Sequence, residues 1–111
     1  MLAIADARFT ALASASIVLK AMSVAEATVQ ITNRLGLHLR AASAIAETAR
    51  GYKAKVTITT DGGRANASSV INLMMLGAAQ GTMLKLRAEG EDAPAALEAV
   101  RRLVEDRFGE E

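Results

Sequence analysis

The sequence predicts an α+β domain in which helices cover one face of a β-sheet. Three observations carry that expectation. Apolar and polar residues alternate with a period of two near residues 24–32, 53–59 and 82–88. Apolar residues recur at helical spacing over 39–50 and again after Asp92. Asp61-Gly62-Gly63 is a strong hairpin turn. The resulting order is β-α-β-β-α-β-α, with each strand apolar on one side. That pattern suits an antiparallel or mixed sheet backed by helices on one face.

The first strand, 24–32, places Val29 and Ile31 on one side and Gln30 and Thr32 on the other. Asn33-Arg34-Leu35-Gly36 ends it, because Asn and Gly accept tight-loop backbone angles. A helix from Leu39 to about Arg50 follows, burying Ala42, Ile45, Ala46 and Ala49, and Gly51 stops it. The strand at 53–59 turns Val56 and Ile58 inward, and 64–67 pairs back across the hairpin. Ser68-Ser69 caps a short helix from Val70 to about Ala78. Its apolar residues occupy nearly the whole circumference, so it is either deeply buried or offered to a partner. Gln80-Gly81 leads into the last strand, 82–88. Asp92 then caps a final helix with Pro94 in its first turn. Leu97, Val100, Val104 and Phe108 form that helix's core stripe and Gly109 ends it.

With 111 residues the chain is most economically one domain, able to bury a core without disulfides or metals. Apolar residues make up 51% and aromatics only 3%, so the core is built from Leu, Ile, Val, Met and Ala. A net charge of +1, with both signs interspersed, argues against a general role on nucleic acid or on acidic membranes. There is no cysteine, which excludes disulfides, thiolate metal sites and cysteine nucleophiles. A single histidine without a surrounding carboxylate cluster argues against zinc, and no cofactor is expected. No segment approaches the ~18 apolar residues of a membrane-spanning helix. Residues 1–21 do not read as a secretory signal: the start lacks Lys or Arg, and Asp6 and Arg8 interrupt it. Residues 1–23 are read as an N-terminal extension, weakly helical or disordered, ahead of a domain at 24–111.

The stretch Gly36-Leu37-His38-Leu39-Arg40-Ala41-Ala42 holds the only histidine. A helix start leaves about four backbone N–H groups unpaired and carries partial positive charge. Such a terminus attracts phosphate and favours the uncharged imidazole. An uncharged imidazole nitrogen can take a phosphoryl group covalently, and Arg40 could fork onto its oxygens. On spacing alone the plainer reading is favoured, with His38 a helix cap and Arg40 a surface charge. The lack of a nearby acid also argues against a self-sufficient enzyme.

Residues 33–42, Asn-Arg-Leu-Gly-Leu-His-Leu-Arg-Ala-Ala, resemble the active-site segment of the histidine-containing phosphocarrier (HPr) family of the bacterial phosphotransferase system. Residues 66–77, Asn-Ala-Ser-Ser-Val-Ile-Asn-Leu-Met-Met-Leu-Gly, are similar to the regulatory-serine segment of that family. The two motifs lie in the right order, and the resemblance covers roughly residues 25–109. It implies an open-faced β-sandwich, a four-stranded antiparallel sheet with three helices on one face. It also implies a phosphoryl carrier rather than a catalyst. His38 would accept phosphate from phosphoenolpyruvate-dependent Enzyme I and pass it to EIIA-type acceptor domains. Arg40 would stabilise the phosphohistidine. Ser69 would be the serine that a kinase/phosphorylase modifies in some lineages, and Ile71, Met74 and Leu39 would dock partners, a task that suits pliable Met. A cytoplasmic monomer is implied. The alternatives are a regulatory module signalling through phosphorylation at His38 or Ser69 without feeding sugar import, and a structural domain that has lost the transfer.

Two positions depart from the family pattern. Ala41 stands where proline is usual, which frees φ and adds a backbone donor. Leu39 replaces a small residue. Ile31-Thr32-Asn33 and Ser69-Val70-Ile71 look closer to the nitrogen-related branch than to the sugar-transport branch.

Overall fold

The computed structural model describes residues 23–110. The extension expected at 1–23 lies outside these residues except for Ser23. Among the described residues the order is β1 (Val24–Gln30), α1 (Leu39–Arg50), β2 (Lys55–Thr60), β3 (Gly63–Asn66), α2 (Val70–Met75), β4 (Met83–Glu89) and α3 (Ala93–Glu105). A 3-10 turn, Arg107–Gly109, follows. The strands form one four-stranded sheet in the order β1-β4-β2-β3. Every pairing is antiparallel, which decides between the antiparallel and mixed alternatives.

The alternation in the sequence sets the two sheet faces. Val29, Val56, Ile58, Ala65, Leu84, Leu86 and Ala88 point to the helix side and are buried. Glu26, Thr28, Lys55, Thr59, Arg64, Lys85 and Arg87 lie on the open face. From the helices, Ala42, Ile45, Ala46 and Ala49 of α1 and Leu97, Val100 and Val104 of α3 complete the core as the periodicity required. The many alanines let α1 and the sheet approach closely, so an almost aromatic-free core still packs.

Several boundaries differ from the sequence reading, each for a local reason. The second strand begins at Lys55 rather than Lys53, because the N–H groups of Lys53 and Ala54 are taken by the Asp92 carboxylate at 2.9 and 2.7 Å. Asp92 does occupy the N-cap position of α3, but its side chain makes no cap bond to that helix. Helix α2 stops at Met75, short of Ala78, and Gly77 follows in the left-handed region at φ +60°. Helix α3 stops at Glu105 rather than running to Gly109. Phe108 still reaches the core, from a left-handed backbone at φ +55°.

The loop from β1 to α1 is fixed by contacts with the segment before β4. Ile31 exchanges backbone bonds with Thr82 and Gly81, and Leu37 N–H donates to the Ala78 carbonyl at 2.9 Å. Gly36 is required here: a Cβ at this position would lie 2.6 Å from the Ala78 oxygen, and its φ is +67°.

Candidate functional site

His38 occupies the N-cap position of α1 with extended backbone (φ −81°, ψ 178°), and its carbonyl accepts the first helical bond from Ala42 N–H at 2.8 Å. The side chain makes no capping bond to the helix. His38 is thus the cap of α1 by position, as the plainer reading expects, but its side chain is left for other contacts. The imidazole instead bonds through Nε2 to the Glu110 carboxylate, and its Nδ1 has no partner among the described residues.

Glu110 organises this corner. Its Oε2 receives both His38 Nε2 and the Arg40 guanidinium, while its Oε1 accepts from Asn33 Nδ2 at 3.0 Å. Arg40 also donates to the Phe108 carbonyl at 3.2 Å, clasping the 3-10 turn that delivers Glu110. Asn33 is fully buried and gives its second amide proton to the Gly36 carbonyl at 2.9 Å, so one side chain ties the loop before His38 to the acid facing it. Burial alone would push the Glu110 carboxyl up. The bonds from Asn33, His38 and Arg40 outweigh it and hold that carboxyl below its ordinary range.

The lack of a nearby acid in the sequence reading is thus corrected. Glu110 is 72 residues from His38 and nothing in its local sequence marks it. Asn33, Arg34, Gln80 and Arg107 were likewise not singled out as site residues. A cleft of about 740 Å³ opens beside His38 and Arg40, lined also by Arg34, Arg107, Gln80 and Glu110. Arg34 and Arg107 have no carboxylate partner among the described residues. The cleft holds more cationic than anionic side chains, which suits an anionic group arriving at His38.

The other expected residues sit elsewhere. Ser69 caps α2, its Oγ accepting from Asn72 N–H at 3.2 Å, and Arg50 forks onto the neighbouring Ser68 carbonyl at 3.1 and 2.9 Å. Of the apolar residues of α2, only Leu73 is fully buried. Ile71, Met74 and Met75 are exposed, as are Leu35 and Leu39 near the histidine. Helix α2 packs against α1, so these apolar side chains are displayed from neighbouring elements; Leu35 lines the His38 cleft, whereas Leu39, Ile71, Met74 and Met75 do not. Met75, 77% exposed, was not among the expected docking residues. Among the described residues no group of His, Asp and Glu is arranged to hold a metal, and no helix is long and apolar enough to cross a membrane.

The family model described as "PTS HPr component phosphorylation site" matches residues 25–106. The chain belongs to the HPr family. A phosphocarrier protein HPr from Xylella fastidiosa is 40% identical over 81 residues, 73% of this chain and 91% of that protein. A phosphocarrier protein NPr from Shewanella violacea is 42% identical over 89 residues, covering 80% of this chain and 98% of that protein. Among solved structures, HPr-C-His from Thermoanaerobacter tengcongensis superposes with a TM-score of 0.75 at 39% identity, over 78% of this chain and 98% of that one. HPr proteins are phosphotransferase-system phosphocarriers, not catalysts, and this chain shares both their sequence pattern and their open-faced α+β sandwich.

Proposed function

We propose that His38 Nδ1 is the atom that receives and gives up the phosphoryl group. The observation that carries this is the Glu110 bond to Nε2. An ionised carboxylate accepts, so Nε2 carries the proton, and the tautomer leaves the Nδ1 lone pair free. Nδ1 lies at the start of α1, where unpaired N–H groups favour an incoming phosphate. As the Nδ1–P bond forms, the bond from phosphorus to the donor breaks and its electron pair stays on the donor. Positive charge develops on the ring and is met by Glu110. Arg40, already beside Glu110, then neutralises the phosphoryl oxygens. Return transfer to an acceptor runs the same path backwards.

The donor in this reading is phosphoenolpyruvate-dependent Enzyme I and the acceptors are EIIA-type domains, partners the carrier would meet in the cytoplasm as a monomer. Leu39, Ile71 and Met74, with Met75 added from its exposure, form the apolar surface they would share. A second reading is supported by the similarity to an NPr protein: the phosphorylation state itself is the output, at His38 or at Ser69 through a kinase, and sugar import is not fed.

Incubation with phosphoenolpyruvate and a bacterial Enzyme I tests the proposal. One acid-labile phosphate is expected by mass, absent from His38→Ala and located on Nδ1 by nitrogen NMR. No mass gain with the organism's own Enzyme I overturns it. Attachment at Nε2 overturns the assignment of the nitrogen.

A further inference from the structure

We propose that Asn33 is a positioning residue: its buried carboxamide aims the Glu110 carboxylate at His38 and so sets the tautomer of the ring. The role is one in phosphoryl transfer and rests on His38 being the phosphorylated residue. Among the described residues Asn33 is the one polar side chain that is fully buried, at 0% exposure. A carboxamide offers two protons and one acceptor oxygen. Here both protons go to the site, Nδ2 donating to the Gly36 carbonyl at 2.9 Å and to Glu110 Oε1 at 3.0 Å. Oδ1 has no hydrogen-bond partner among the described residues. Turning the amide over would set that oxygen against the Gly36 carbonyl and the Glu110 carboxylate, so its neighbours fix its orientation. A buried acceptor without a partner costs free energy, and an apolar side chain of similar size would avoid that cost. Stability alone therefore does not account for Asn at this position; the acid it holds does.

Glu110 needs such a hold, because it stands past the 3-10 turn, beyond the last long element of the fold. A bond at Oε1 from a buried, immobile donor fixes the carboxylate and leaves Oε2 to meet His38 Nε2 and Arg40. Burial pushes the Glu110 carboxyl up, and of the bonds that pull it down the one from Asn33 acts most strongly. On its other side Asn33 grips the histidine loop, its carbonyl accepting from Gly36 N–H at 3.2 Å while its Nδ2 bonds the Gly36 carbonyl. Gly36 is two residues before His38, and Leu37 between them is tied to Ala78. Ring and carboxylate thus share one buried reference point. With Glu110 aimed elsewhere, Nε2 loses its acceptor and the ring divides between its two neutral tautomers. Only the form with the proton on Nε2 leaves the Nδ1 lone pair to phosphorus.

Nitrogen NMR of the His38 ring in the unphosphorylated protein, paired with rapid-quench phosphoryl uptake from phosphoenolpyruvate and Enzyme I, provides the test. Wild type is expected to show the Nε2–H form, and Asn33→Ala a mixture of the two neutral forms, as Glu110→Ala does. Uptake by folded Asn33→Ala is expected to be roughly three- to tenfold slower, the scale of coupling within one hydrogen-bond network. In a Glu110→Ala background the same substitution should slow uptake no further, because Asn33 acts through that carboxylate. An unchanged tautomer in Asn33→Ala, or a slowing that persists in full without Glu110, overturns the proposal and assigns Asn33 to loop packing, with the carrier reading intact. If Asn33→Ala does not fold, the Asn33 side-chain amide of wild type and Glu110→Ala decides. One of its two protons, the one facing Glu110, should move upfield in the variant, and two unmoved protons overturn the proposal. Failure of wild type to take up phosphate overturns the carrier reading separately, since the ring tautomer is read without any phosphate.

Discussion

The Glu110 carboxylate bonds at once to the imidazole of His38 and to the guanidinium of Arg40. It therefore fixes the tautomer of the ring and parks the cation beside it. Glu110→Gln keeps the shape and removes the charge. Rapid-quench measurement of phosphoryl uptake from Enzyme I is expected to show a rate roughly ten- to a hundredfold lower. Arg40→Lys should recover less than half of the effect of Arg40→Ala, since an ammonium cannot serve Glu110 and the Phe108 carbonyl together in the same geometry. An unchanged rate in Glu110→Gln means the carboxylate only pins the turn.

Among the described residues, two of the four carboxylates that their surroundings hold low serve as pH reporters. Glu110 is held low by Asn33, His38 and Arg40 against its own burial, and Asp92 is held low chiefly by the Lys53 N–H and then, against burial, by that of Ala54. A carboxyl lowered by folding stabilises the fold when ionised. That stabilisation is complete above the unfolded-state value, about 4, and is lost as pH falls through the folded value. Carbon NMR of the Glu110 carboxyl is expected to titrate below its position in the His38→Ala variant. Asp92→Ala should lower the urea midpoint at neutral pH, and the gap to wild type should close in acid. A gap that persists below pH 3 would assign the loss to packing instead.

Gly36→Ala tests how tightly the histidine loop is seated. The added methyl meets the Ala78 oxygen and the backbone is at positive φ, so a cost of about 2 kcal/mol or more is expected. Urea unfolding measures it. Because the same loop carries His38, phosphoryl uptake by the folded fraction should fall as well.

Leu73 and Ile71 are two residues apart on α2 and face opposite fates. Leu73→Ala should cost about 2–5 kcal/mol, since Leu73 is fully buried. Ile71→Asp should leave the urea midpoint nearly unchanged, because the side chain is 71% exposed, yet weaken transfer by raising the KM for Enzyme I. Equal KM values would remove Ile71 from the docking surface.

The order of elements was legible because each strand has a dry side and each long helix has an apolar stripe. Ala42, Ile45, Val56, Ile58, Val100 and Val104 all follow from period alone. The histidine was legible through its motif and its helix. Its acid was not: Glu110 follows the amphipathic pattern, in a polar tail with no periodicity, and reaches His38 only because two left-handed residues, Arg107 and Phe108, redirect the chain. Asn33 read as a loop former, and its burial depends on tertiary contacts with Glu110 and Gly36. Asp92 read as a local cap because that is the commonest use of Asp before a helix, but the distant N–H groups of Lys53 and Ala54 compete for it better.

The sheet order has a consequence for how the molecule assembles itself. Among the described residues, strand β1 has β4 as its only neighbour, with Val24 opposite Glu89. Its hydrogen bonds cannot form until a strand far along the chain has been folded into place, whereas β2 and β3 close a local hairpin. Contacts of such long sequence separation delay folding. The loop bearing His38 leaves β1 directly and is anchored on Ala78 and Gly81, just ahead of β4. The two ends of that delayed pairing thus frame the histidine, and amide exchange should find its loop among the last parts of the protein to become protected during refolding.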